Sequence, residues 1–171
     1  MNRIEFRTFL EEFKSFSVEA FEHITYAMIK PDAVCLKDDI LEDIEARGFK
    51  ILFQLEYQFT DGLARNFYSE HKEKPFFERL IRQMTDGPVV VLILQNEGSI
   101  PCFKAWREAL GNTNPANAAE GTLRNVYTNK LFGGPEMYAQ EKATNCFHGA
   151  DCVAAVIRES NLVLYDIAMS E

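Results

Sequence analysis

No two of the four cysteines, Cys35, Cys102, Cys146 and Cys152, stand at CxxC spacing, and four in 171 residues is far from the density of a disulfide scaffold. They read as reduced thiols of a cytoplasmic protein. Cys146 and Cys152 flank His148, but their spacing fits no common zinc pattern. No run approaches the ~20 apolar residues of a membrane-spanning helix, and residues 1–23 carry charges throughout, so neither a membrane partner nor a targeting segment is expected. Basic residues are in deficit: 18 Lys and Arg face 26 Asp and Glu, a formal net charge of −8. Such a chain repels polyanions, which argues against nucleic acid as a partner. The phosphate loops GxxxxGK[ST] and GxGxxG are both absent. A phosphate ligand would have to be met by cations and hydroxyls gathered from separate parts of the chain.

Histidine is scarce too, three in all, and one stands in a distinctive stretch: Asn145-Cys146-Phe147-His148-Gly149-Ala150-Asp151. An ordinary imidazole titrates near 6.5, so at neutral pH it serves as a nucleophile as well as a base. A lone histidine beside a phenylalanine is also an ordinary core or turn residue, and only its company elsewhere in the chain can decide.

Periodicity supplies the elements. Phe6, Phe9, Leu10 and Phe13 are at helical spacing within an N-terminal extension, residues 1–22, ahead of a single domain, 23–171. Ile24–Ile29 reads as a buried strand ending at Lys30-Pro31-Asp32, because proline has no N–H for a ladder. Asp38 and Asp39 open a helix that Gly48 closes. Residues 49–59 alternate Phe49, Ile51, Phe53, Leu55, Tyr57 and Phe59 with mostly polar residues, the mark of a one-sided strand. Asp61 is expected to cap a helix bearing Ala64, Phe67, Tyr68 and His71, and Pro75 to begin another bearing Phe76, Phe77, Leu80, Ile81 and Met84. Val89–Leu94 is a continuous apolar run, hence a central strand covered on both faces. Ser99 is expected to cap a helix with Phe103, Trp106 and Leu110 inward. Segment 125–144, with Gly133-Gly134-Pro135 at its middle, reads as irregular. A short strand leads into His148, and Asp151 is expected to cap a last helix on Val153, Val156 and Ile157, with Glu159 near its end. Strands alternating with helices lean, on pattern alone, toward a parallel α/β sheet.

Taken in order, six blocks form a constellation: Tyr26-Ala27-Met28-Ile29-Lys30-Pro31-Asp32-Ala33-Val34, Phe67-Tyr68 to Lys74-Pro75-Phe76-Phe77, Gly87-Pro88-Val89-Val90, Gly111-Asn112-Thr113-Asn114-Pro115, Gly121-Thr122-Leu123-Arg124, and the stretch around His148. Together they resemble the nucleoside diphosphate kinase family over about residues 24–160. The resemblance implies a ferredoxin-like α/β (α+β) fold, a four-stranded antiparallel sheet covered by helices, in place of the parallel lean. It implies transfer of the terminal phosphate of a nucleoside triphosphate (ATP, GTP and others) to a nucleoside diphosphate (ADP, GDP and others), through a phosphohistidine and with Mg²⁺. By position, His148 would be the nucleophile and Glu159 the carboxylate orienting its ring. Lys30, Tyr68, Arg107 and Arg124 match residues that hold the moving phosphoryl group, and Lys74 and Thr113 match those on neighbouring phosphates. Asn145 and Lys30 would reach the ribose, Phe76 would stack on the base, and Asp151 would touch Mg²⁺ through water. The family assembles as hexamers or tetramers, so a homo-oligomer is implied.

Three residues depart from the family pattern. Ala150 replaces the usual serine, which predicts a reduced rate. Lys74 stands for a common arginine and loses a bidentate contact. Ala33 replaces a common glycine. The 20 residues between Arg124 and Asn145 are more than the family usually carries there, and the tail after Glu159 is short. With the extension, these features leave the oligomer type open and suggest that extension and insertion sit at subunit interfaces. Ala150 and the insertion also support a second reading: a catalytically weak nucleotide-binding or interaction module on the same fold. An RNA-binding domain fits poorly, because no basic-aromatic stripe is present.

Overall fold

The computed structural model describes residues 3–170; Met1, Asn2 and Glu171, the outer ends of the 1–22 and 23–171 ranges, lie outside the described residues. Four strands make one sheet in the order β2-β3-β1-β4: β1 Ile24–Ile29, β2 Lys50–Tyr57, β3 Val89–Gln95 and β4 Phe147–Gly149. Every pairing is antiparallel, and the register sets Met28 of β1 opposite His148 of β4. This is the ferredoxin-like arrangement, and it corrects the parallel lean. Every residue of β1, and every residue of β3 but the last, is buried. Helices pack on both faces of the sheet, so two central antiparallel strands take on the unbroken apolar sequence usual in parallel ones.

One face carries Tyr26, Met28, Val91 and Ile93 against helices α1 (Arg3–Lys14), α3 (Asp61–Phe67), α4 (Phe77–Thr85) and α8 (Val153–Ser170). The other carries Ala27, Ile29, Leu92 and Leu94 against α2 (Lys37–Ala46), α5 (Cys102–Leu110) and α6 (Leu123–Phe132). A register shift between Ile51 and Phe53 divides the expected one-sided strand. Ile51 pairs with Leu94 and joins the second face, whereas Phe53 pairs with Ile93 and joins the first. An extra residue in one strand sends later side chains to the opposite face.

Helix starts differ from the expected ones at their caps. Thr60, not Asp61, caps α3, its hydroxyl accepting from the Leu63 N–H at 3.1 Å. Helix α4 begins at Phe77, after a turn that holds Pro75, and α5 begins after Pro101 instead of at Ser99. Segment 125–144 is not irregular. It contains most of α6, closed by Gly133 in the left-handed region (φ 72°), and then a single turn, α7 (Glu136–Ala139). Glu159 lies in the first half of α8, which runs on to Ser170.

The extension is part of the core. Phe6, Phe9 and Phe13 are buried, and the Phe9 ring stacks on Phe53 with centroids 5.0 Å apart. Phe9→Ala is expected to cost about 3 kcal/mol, seen as a lower urea midpoint with little change in slope. An unchanged midpoint would show that the helix contributes nothing to the fold.

Candidate active site

The close of β1, the α3–α4 connection with α4, the α5–α6 connection and β4 all meet at one cavity of about 620 Å³, a size suited to a small organic ligand. Its lining includes Lys30, Tyr68, Phe76, Arg107, Thr113, Arg124, Asn145, His148, Asp151 and Glu159. Ten of the eleven positions singled out in the sequence therefore converge here. Lys74 does not line the cavity and is exposed on the turn before α4.

His148 is positioned from several directions. Its Nε2 lies 2.9 Å from Oε2 of Glu159, whose side chain is only 4% exposed. A carboxylate only accepts, so Nε2 carries the hydrogen, and in the neutral ring the lone pair is then on Nδ1. Phe67, Tyr68 and Tyr26 meet the ring edge-on, at centroid distances of 4.9, 5.8 and 6.0 Å. The Trp106 indole donates to the His148 carbonyl at 3.2 Å. Gly149 is required beside it, because a Cβ there would stand 2.8 Å from Cδ1 of Trp106.

The approach to β4 is strained. Cys146 has φ 70°, and the Phe147 N–H donates to the Asn145 carbonyl at 2.9 Å. That hydrogen bond across a positive-φ residue is a γ-turn of the rarer, left-handed kind, costing about 1–3 kcal/mol for a side-chain-bearing residue. Neighbouring bonds hold it. The Lys30 N–H donates to the Cys146 carbonyl at 2.8 Å, and Asp32 accepts from the Thr144 hydroxyl and N–H at 2.6 and 2.7 Å.

Three cations share the cavity with the ring. Arg124 is buried, its two terminal nitrogens donating to the Gly111 and Phe147 carbonyls at 2.9 and 3.1 Å. Arg107 donates to the Gly149 carbonyl at 3.1 Å. The Lys30 ammonium donates to Oδ1 of Asn145 at 2.8 Å, and Asn145 donates to the Thr113 carbonyl at 2.9 Å. Burial, and then repulsion by Arg124, pulls Lys30 down to about 8. Burial, and then repulsion by Arg107, pulls Arg124 down to about 10. Cations crowded and desolvated in this way favour the arrival of an anion. Among the described residues, the buried side-chain atoms without a hydrogen-bond partner are Tyr68 Oη, Arg124 Nε and Ser160 Oγ, and the first two belong to residues lining the cavity. Unpaired buried donors are costly, so both point to a ligand rich in acceptors.

Comparison with known proteins agrees. The family model described as nucleoside diphosphate kinase matches residues 23–168. The chain belongs to the nucleoside diphosphate kinase family. It is 36% identical over 149 residues to the nucleoside diphosphate kinase of Desulfovibrio desulfuricans, covering 86% of this chain and 97% of that one. Among solved structures, a halophilic nucleoside diphosphate kinase from Halobacterium salinarum in complex with CDP is similar at 30% identity and a TM-score of 0.69, over 82% of this chain and 86% of that one. The apo enzyme from Encephalitozoon cuniculi is similar at 27% identity and a TM-score of 0.68, covering 82% and 87%.

The cavity of this kinase-family chain also has a wall that the sequence reading missed. Arg79, Leu80, Gln83, Tyr138 and Glu141 line it, and Arg79 pairs with Glu141 at 2.7 Å. Arg79, Leu80 and Gln83 follow Phe76 by three, four and seven residues, a helical face that spacing alone could have exposed. Tyr138 and Glu141 carried no such signal, because they belong to the insertion.

Proposed function

We propose that the chain acts as a nucleoside diphosphate kinase in which His148 carries the phosphoryl group between nucleotides. The Nδ1 lone pair attacks the terminal phosphorus of a nucleoside triphosphate, and the bond to the bridging oxygen breaks. A nucleoside diphosphate leaves. A terminal phosphate oxygen of a second diphosphate then attacks the same phosphorus, the P–N bond breaks, and Nδ1 regains its lone pair. Glu159 holds the ring and offsets the positive charge that the phosphorylated imidazole carries. Such transfer asks mainly for alignment and charge neutralisation. Arg107 and Arg124 present forked donors to the moving oxygens, Lys30 a compact charge, and Tyr68 a hydroxyl. Thr113 serves a neighbouring phosphate, Asn145 the ribose, and Phe76 the base by stacking, which accepts purines and pyrimidines alike. The observation that carries this reading is an imidazole tied at Nε2 in a cavity that it shares with three cations and two residues bearing unpaired donors.

Mg²⁺ fits the donor set. No group of three His, Cys, Asp or Glu able to hold a metal occurs among the described residues, and Asp151 lines the cavity near His148. An ion held chiefly by phosphate oxygens, with Asp151 reached through water, suits that arrangement. Such an ion supplies charge neutralisation for the polyphosphate. No helix among the described residues is long and apolar enough to cross a membrane, and the free thiols suit the cytoplasm. The family resemblance supports a homo-oligomer, hexamer or tetramer. The interaction-module reading has no support in a cavity where the ring, cations and unpaired donors converge.

The test is incubation with γ-labelled ATP and Mg²⁺, which is expected to leave acid-labile, alkali-stable label on the protein that chases onto added diphosphates. Absence of label under those conditions overturns the proposal. Lys30 adds a pH signature. Its ammonium must be charged to meet phosphate, and the free enzyme loses that charge as pH rises through about 8. The nucleotide KM is therefore expected to climb above pH 8, and Lys30→Arg to move the climb upward. A flat profile up to pH 10 would remove Lys30 from nucleotide binding.

A further inference from the structure

The insertion forms one side of the cavity, and its geometry bears on which base is held there. After α7 the chain passes through Glu141 at φ 63°, a left-handed conformation uncommon for a residue with a long side chain. The turn is fixed by the Glu141 N–H donating to the Tyr138 carbonyl at 2.9 Å and by the Lys142 N–H donating to the Met137 carbonyl at 2.8 Å. The Glu141 carboxylate is exposed on the mouth of the cavity and is held there by Arg79 at 2.7 Å. The same cavity is lined by Arg79, Leu80 and Gln83 of α4 and by Phe76 just before it. A base stacked on Phe76 thus has a flat apolar face beneath it, and a carboxylate, a guanidinium and an amide within the same cavity.

We propose that Glu141, steadied by Arg79, reads the Watson–Crick edge of the base, so that this chain prefers guanine nucleotides. The inference rests on the proposed kinase function. A carboxylate only accepts hydrogen bonds. Guanine offers two adjacent donors, N1–H and the N2 amine, with the O6 acceptor beside them for Gln83 or Arg79. Adenine and cytosine set a ring-nitrogen lone pair next to their amine, and uracil sets a single N–H between two carbonyls. Each of those three edges brings at least one acceptor against the carboxylate. Stacking admits all four bases, and the carboxylate grades them. Backbone strain at Glu141 together with an ion pair that fixes its direction is what a recognition residue on an inserted loop calls for.

The experiment uses the full-length protein, labelled on histidine with γ-labelled ATP and freed of nucleotide. Discharge of the label is then followed with GDP, ADP, CDP and UDP. Discharge efficiency is expected to be highest for GDP, by about tenfold over UDP, the scale of one charged hydrogen bond. Glu141→Gln, which trades an acceptor for a donor, is expected to lower GDP relative to ADP. Glu141→Asn shortens the side chain in a residue type that tolerates the left-handed turn, and is expected to bring the four acceptors within about twofold. Equal discharge by all four diphosphates in the unaltered protein, or a GDP preference that survives both substitutions, overturns the base reading and leaves the kinase intact. Failure to take up label at all overturns the kinase proposal itself.

Discussion

His148→Ala is expected to abolish the acid-labile label from γ-labelled ATP and to lower phosphate exchange by at least about 10⁴-fold, the scale seen when a covalent nucleophile is removed. Nucleotide affinity should change little, because Lys30, Arg107, Arg124 and Phe76 line the cavity independently of the imidazole. Equilibrium binding of a nucleotide and label incorporation must therefore separate. Glu159→Gln gives a graded companion result. An amide can still accept from Nε2–H but carries no charge to offset the phosphorylated ring, so a loss of about 10- to 100-fold is expected, with the label still forming. If His148→Ala retained exchange, the carrier would have to be another group, and the tie between His148 and Glu159 at 2.9 Å would be structural only.

Arg124→Met ranks second in expected effect. The guanidinium contributes charge to the cavity and ties the Gly111 carbonyl of the α5–α6 connection to the Phe147 carbonyl of β4. Losing the charge is expected to cost about 10²–10³-fold in kcat/KM, comparable with removing one preorganised donor from a transition state. The stability change should be smaller, about 1 kcal/mol, because the lost hydrogen bonds are offset by relief from burying a charge. Arg124→Lys separates the two roles: it keeps the charge without the fork that reaches both carbonyls, and activity is expected to fall between the two. An Arg124→Met chain that unfolds in proportion to its loss of activity would make the residue a strut and not a phosphate contact.

Much of the site was legible because chemistry at element ends leaves marks in sequence. Pro31 stops β1 and so places Lys30 at the strand's end, and Gly149 is dictated by the closeness of Trp106. The strand direction was not legible. Val89–Leu94 looks the same whether its neighbours run parallel or antiparallel, because its composition reports burial on two faces and nothing about pairing. Helix α6 escaped notice for a related reason. Arg124 and Thr128 are polar yet lie on its buried side, Arg124 lining the cavity and Thr128 against Cys146, so the apolar stripe is broken. The slip in β2 was hidden as well, since the alternation of Ile51 and Phe53 is perfect in sequence and only the shifted register sends them to opposite faces. Lys74 matched by position, and it stands exposed on the turn before α4, apart from the residues that line the cavity.

Lys30 and its hydrogen-bonded partner Asn145 are 115 positions apart, and Asp32 is 112 from Thr144. Of the four described strands, the last in chain order lies against the first. Until it arrives, a growing chain holds an ammonium with no amide to receive it and a sheet with one open flank. Pairings of such long span are slow to form, so a shortened product ending before β4 should be recognised by the cell as unfinished and should hold no nucleotide. Competence waits on the arrival of β4 and of the helix that brings Glu159.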